Sequence, residues 1–147
     1  MIIEKTTDQV ELVKDCFRRI DSGEFPHEMF TRDFQFFFPK YGIGSGPAEF
    51  RALADGLQVK IERLVHRVNE FMFIENGSLV VVEGTTEGES NDGRKWSGGH
   101  TAGGRFCSVF AFNVDGLIER IHVYLDPDYL SEDSARFLWN RGDSVRW

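Results

Sequence analysis

The chain has only two cysteines, Cys16 and Cys107, and neither stands in a C-x-x-C or metal-like spacing. That argues against a disulfide framework or a thiolate metal site, and it leaves two free thiols in apolar stretches, expected to be buried. Histidine is also sparse. His27, His66, His100 and His122 share no i, i+2 or i, i+4 spacing, so no metal site is expected from them. Basic residues are outnumbered, 17 Lys and Arg against 24 Asp and Glu, for a formal charge of −7. Such a balance repels phosphate backbones and anionic membrane surfaces, so neither nucleic acid nor membrane is an expected partner. No apolar run approaches the roughly 20 residues that span a bilayer. Residues 1–5 lack a basic region followed by an apolar one, and a cytoplasmic location is the expectation. The glycines between Gly98 and Gly104 lead into a strand pattern with no G-K-[ST], so they are not a phosphate loop. No other motif implies a cofactor. Arg141-Gly142-Asp143 has the spelling of an adhesion tripeptide, for which chance suffices.

What the chain does have is aromatic bulk. Fourteen phenylalanines in 147 residues are enough to build a core or line a cavity within one domain, taken here as residues 1–147. Val10, Val13, Phe17 and Ile20 fall at helical spacing, with Thr7 or Asp8 to cap the start and Gly23 to end the helix. A short helix around residues 27–30 should lead into Phe34-Gln35-Phe36-Phe37-Phe38, a buried strand before Pro39. Gly42, Gly44 and Gly46 suggest a loop. Pro47 then opens a helix whose apolar face is Phe50, Leu53 and Leu57.

From there the character changes to strands, expected over residues 64–74, 78–89, 105–114 and 117–125. Asn76-Gly77 and Asp115-Gly116 predict tight primed turns, with positive φ at both residues of each. Residues 90–104 read as a long connection, and 131–147 as an extension with a short helix. Helices followed by a run of strands predict an α+β roll: a strongly curved antiparallel sheet wrapped, cone-like, around the N-terminal helices, with a cavity at its open end.

The segment from Phe112 through Asp115-Gly116 and Ile121 to Asp126 resembles the closing hairpin of SnoaL-like proteins. Helix one ending in Asp21-Ser22-Gly23, the strand before Pro39 and the glycine before the third helix resemble the same superfamily, which includes nuclear transport factor 2. The resemblance implies a cone-shaped fold with a pocket for a small hydrophobic ligand, and commonly a homodimer through the outer face of the sheet. Members include isomerases, cyclases and binding proteins, so fold alone does not name an activity. Ketosteroid isomerase has the same layout, but its tyrosine and two aspartates fall on Cys16, Phe38 and Ser108, which argues against its mechanism.

Cyclases of the SnoaL type resemble the chain in placing an aspartate at the end of the last strand, where Asp126 stands. The resemblance implies a general base there; the Asp126-Pro127 pair by itself reads as a turn. His100, among glycines beside Trp96 and Arg105, is a second catalytic candidate at the pocket mouth, or simply a solvated loop residue. Alternation puts Phe106, Ser108, Phe110 and Phe112 on the inner face with Ile121, near Phe36 and Phe38. With Tyr41 these are the candidate pocket lining; an ordinary filled core would use the same stripe. Ile118, Arg120, His122 and Tyr124 should then face outward, beside Val109 and Ala111. The reading is a cofactor-independent isomerase, cyclase or lyase acting on a hydrophobic carbonyl compound, or a non-catalytic binder. An interaction module using Phe137, Trp139 and Trp147, or an accessory small subunit of a larger enzyme, remains open at this point.

Overall fold

The computed structural model describes residues 8–133; the expected C-terminal helix, Phe137, Trp139, Trp147 and the Thr7 cap lie outside them. Two α-helices, α1 (Gln9–Asp21) and α2 (Gly46–Leu57), accompany eight strands: β1 (Phe30–Phe38), β2 (Gly42–Ser45), β3 (Ile61–His66), β4 (Met72–Asn76), β5 (Leu79–Ser90), β6 (Lys95–Trp96), β7 (Arg105–Phe112) and β8 (Ile118–Tyr124). The Asp8 carboxylate caps α1 by accepting from the Val10 and Glu11 backbone N–H groups, and Gly23, at φ 85°, follows its end. Neither α-helix among the described residues is long and apolar enough to cross a membrane.

The strands run in the order β2-β1-β8-β7-β5-β3, with β4 and β6 also paired to β5. β5 changes partners along its length. Its first half lies between β7 and β4, and its second half pairs with β3 and β6. The α+β class expected from the sequence is the one observed. The sheet, however, is mixed and open: β1 pairs with β8 in parallel, while every other pair is antiparallel. A parallel neighbour at the chain's two ends leaves no local trace, because no tight turn joins those strands.

Several local expectations shift. The stretch 64–74 is two strands broken by a 3₁₀ turn at Val68–Glu70, and Gly42 to Ser45 is strand β2 rather than loop. Gly44 belongs there because a Cβ would stand 2.1 Å from the Phe36 ring. In the hairpin turns only Gly77 and Gly116 take positive φ. Asn76 pairs with Leu79, so the first loop is Gly77-Ser78. The second spans residues 113–117 between Phe112 and Ile118, and the Asn113 side-chain oxygen ties it together by accepting from the Asp115 and Leu117 N–H groups.

α1 buries Val13, Cys16 and Phe17, and the main core joins them to Phe34, Phe36, Val80, Val82, Phe110, Phe112, Ile121 and Val123. Ile118, expected on the outer face, is fully buried in this cluster. Ala111 pairs with Arg120 but Phe112 with Ile118, so Glu119 is an extra residue that bulges and reverses the alternation.

Candidate functional site

β8 ends at Tyr124, and the chain turns at Asp126-Pro127 to run back beside the ends of β3 and β5. A groove of about 830 Å³ lies there, lined by Tyr41, Leu57, Ile61, Tyr129 and Leu130 and by charged side chains that include Lys40, Lys60, Asp92, Arg94, Asp126 and Glu132. Its apolar part is the exposed edge of a second, smaller core: Ile61 and Tyr129 reach the groove, Trp96 is buried with them, and Leu57, Leu64, Leu125 and Leu130 pack against the three. Burial, and secondarily the nearby Tyr41, keeps the Tyr129 phenol well above its ordinary pKa.

The glycine-rich connection explains how Tyr129 is seated. Its ring packs tilted against Trp96 with centroids 5.0 Å apart; the Trp96 indole N–H donates to Thr86 Oγ1 at 3.0 Å, and that hydroxyl donates to the Gly103 carbonyl. Gly103 N–H donates in turn to Asp128 O at 3.0 Å. A Cβ on Gly103 would lie 2.7 Å from the Tyr129 ring and backbone, so only glycine admits this approach.

Carboxylates hold the segment that closes the groove. Asp126 Oδ1 accepts from Asp128 N–H at 3.0 Å, and the two Asp128 oxygens accept from Glu132 and Asp133 N–H groups. Arg94 joins this segment to the β5–β6 turn, with its guanidinium 2.9 Å from both Asp92 and Glu132. The hydrogen bond from Arg94, and another from Ser90, hold the Asp92 carboxyl well below the usual range.

Of the residues singled out in the sequence, Asp126 and Tyr41 come together on this groove. Asp126 is exposed, and it both starts the turn and lines the wall. Tyr41 is partly exposed; burial, and then the Asp126 charge, raise its pKa, so the phenol stays protonated and able to donate a hydrogen bond. Phe38 packs against Tyr41 at 6.0 Å. His100 is exposed on the loop after β6 and lines neither of the two grooves described here.

Phe36, Phe110, Phe112 and Ile121 are packed into the core; Phe106 is packed there too and also lines the second groove, described below. Ser108 is fully buried beside them, and its Oγ has no hydrogen-bond partner among the described residues. A second groove of about 560 Å³ has Met72, Glu83, Cys107, Tyr124 and Asp126 in its lining. Among the described residues no group of three or more His, Cys, Asp or Glu side chains is placed to hold a metal.

One cluster had no signal in local sequence. Asp21, the last residue of α1, accepts from both the backbone N–H and the ring Nδ1 of His66, the last residue of β3, at 2.8 and 2.7 Å. The two are 45 residues apart, beyond the reach of any periodicity.

Residues 13–121 match the family model described as SnoaL-like domain. Among solved structures, a candidate polyketide cyclase from Pseudomonas putida is similar with a TM-score of 0.69 at 17% identity, over 86% of this chain and 97% of that one. An NTF2-like protein of unknown function from Burkholderia pseudomallei gives 0.64 at 20%, over 87% and 92%. TerC, co-crystallised with polyporic acid, gives 0.63 at 22%, over 80% and 91%. At these identities the likeness concerns the fold. No curated protein matches the chain in sequence.

Proposed function

The chain belongs to the SnoaL-like domain family, and from that premise we propose that it takes a small hydrophobic carbonyl compound into the groove between Tyr41 and Asp126. There it relocates a proton as a cofactor-independent isomerase, cyclase or lyase. The observation that carries this reading is the meeting of a carboxylate and a protonated phenol on one groove that also exposes Leu57, Ile61 and Leu130. Removing a proton from carbon beside a carbonyl requires a base at the carbon and a donor at the oxygen, where negative charge develops. Asp126 fills the first role and Tyr41 the second, while Leu57, Ile61 and Tyr129 hold the apolar body of the ligand. TerC was crystallised with polyporic acid, which supports a ligand of this kind.

The test separates binding from chemistry. A panel of hydroxyquinones and aryl ketones is titrated calorimetrically, and ligands that bind are assayed for turnover. Asp126→Asn should retain affinity and lose at least about a hundredfold in turnover, the usual contribution of a positioned base. Unchanged turnover in that variant removes Asp126 from the mechanism, and a panel with no binder removes the groove.

We further take the protein to work in the cytoplasm as a homodimer, paired through the outer face of the sheet. Ile43, Phe37, His122, Val109, Val81 and Ile74 stand in register as one row across that face. Burial, and then the charge of Arg120, lower the His122 pKa, which favours the neutral ring on such a surface.

A further inference from the structure

We propose that Asp21 and His66 form a second reactive centre, in which Asp21 positions the imidazole and His66 Nε2 acts as nucleophile or base toward a small uncharged carbonyl compound. The geometry is that of an imidazole locked for this purpose. Asp21 Oδ2 accepts the His66 backbone N–H at 2.8 Å while Oδ1 lies 2.7 Å from Nδ1. An ionised carboxylate can only accept, so in the neutral ring the proton sits on Nδ1 and the lone pair on Nε2. Phe17 and Phe106 pack against the ring, with centroids at 4.6 and 5.2 Å, and Phe71 packs behind both, so the ring has little freedom to swing.

Nε2 is left available. It has no hydrogen-bond partner among the described residues, it is not among the sealed unpaired atoms, and the side chain keeps 17% of its surface exposed. A residue needed only to tie α1 to β3 would be served by the backbone bond to Oδ2; the second oxygen on Nδ1 adds an oriented, unshared lone pair. The neighbouring Arg67 does not compete for Asp21, because its guanidinium is engaged by Glu87 at 3.1 Å and Ser97 at 2.7 Å. The centre is separate from the groove of Tyr41 and Asp126. Ile61, on that groove, is five residues earlier on β3, or about 16 Å along an extended strand.

Diethyl pyrocarbonate tests this without knowledge of a natural substrate. Nε2 attacks one carbonyl, an N–C bond forms and the C–O bond to ethyl carbonate breaks. The Nδ1 proton leaves by way of Asp21, and ethyl carbonate takes up a proton and decays to ethanol and carbon dioxide. Mass spectrometry of the digested protein gives a separate rate for each histidine. His66 should react at least about tenfold faster than His27 and His100, although both of those are exposed. Asp21→Asn is the sharper arm. Its amide oxygen can still take the His66 N–H while its NH₂ donates to Nδ1, which moves the ring proton to Nε2 and silences it.

A folded Asp21→Asn protein with an unchanged melting temperature and His66 slowed to the rate of His100 or below would support the centre. A His66 rate in the native protein no greater than that of His100 overturns it, whatever the variant does. So does a folded variant in which the rate is unaffected. Neither outcome bears on the groove, since ligand titration there does not involve Asp21 or His66.

Discussion

Cys16 stands on the buried face of α1 with no exposed surface, and burial, with a smaller contribution from Asp15, pushes its thiol up to about 12 from an ordinary 9.0. The unfolded chain therefore releases this proton near 9.0 while the folded one holds it. Over that window the folded state binds more protons, so the contribution is fully present below about pH 9 and is lost as the pH rises toward the folded value. Urea titrations at about pH 8 and about pH 10.5 should show wild type losing roughly 2 kcal/mol more than Cys16→Ala, whose remaining alkaline loss comes from the tyrosines. Equal losses in the two proteins would mean that the thiol is not held protonated. Its burial was legible from the apolar stretch around Cys16, but the same expectation fails at Cys107, which is only half-buried. The Asp21–His66 contact was not legible, because nothing near either residue in sequence refers to the other.

At the scale of the element, the connection between β5 and β7 shows how a segment without regular pattern can have a definite task. Its polar, glycine-rich composition gave no period to read, so its role in seating Tyr129 became visible only through the approach of Gly103 to that ring. Gly103→Ala should displace the 127–130 segment and destabilise the protein by about 1–3 kcal/mol, the range for overpacking a filled site. It should also weaken ligand binding at the groove. Thermal melts and the calorimetric titration read the two effects separately; a folded Gly103→Ala protein with unchanged affinity would detach the glycine loop from the site. The hairpins teach a related lesson. Their positions followed from the glycines, but the choice of loop residues depended on strand register, as Asn76 pairing with Leu79 illustrates.

For the whole molecule, the open question is what lies over the outer face of the sheet. Ile43, Ile74 and Met72 are 71%, 69% and 64% exposed there, a cost that a second copy would relieve. Light scattering at micromolar concentration should give the mass of a dimer for the wild type and of a monomer for Val109→Arg, placed at the middle of the registered row. A monomer mass for wild type would leave this face to some other partner.

The sequence by itself determined the class of fold and much of its element order. Helical spacing with a capping aspartate specifies α1, proline at the first turn opens α2, and β-branched and aromatic runs between glycine turns make strands, all through interactions within a few residues. Asp126 was singled out through the family resemblance and Tyr41 as a polar group beside an aromatic strand, and the structure puts both on one groove. Tertiary structure alone decided that β1 lies parallel to β8, that Glu119 bulges and sends Ile118 inward, and that Phe36, Phe110 and Phe112 pack the interior instead of lining a groove. The same alternating pattern serves a cavity wall and a filled core equally well. Which one forms depends on whether rings from distant segments meet across the space between them, and that is settled by volume and close packing rather than by order along the chain.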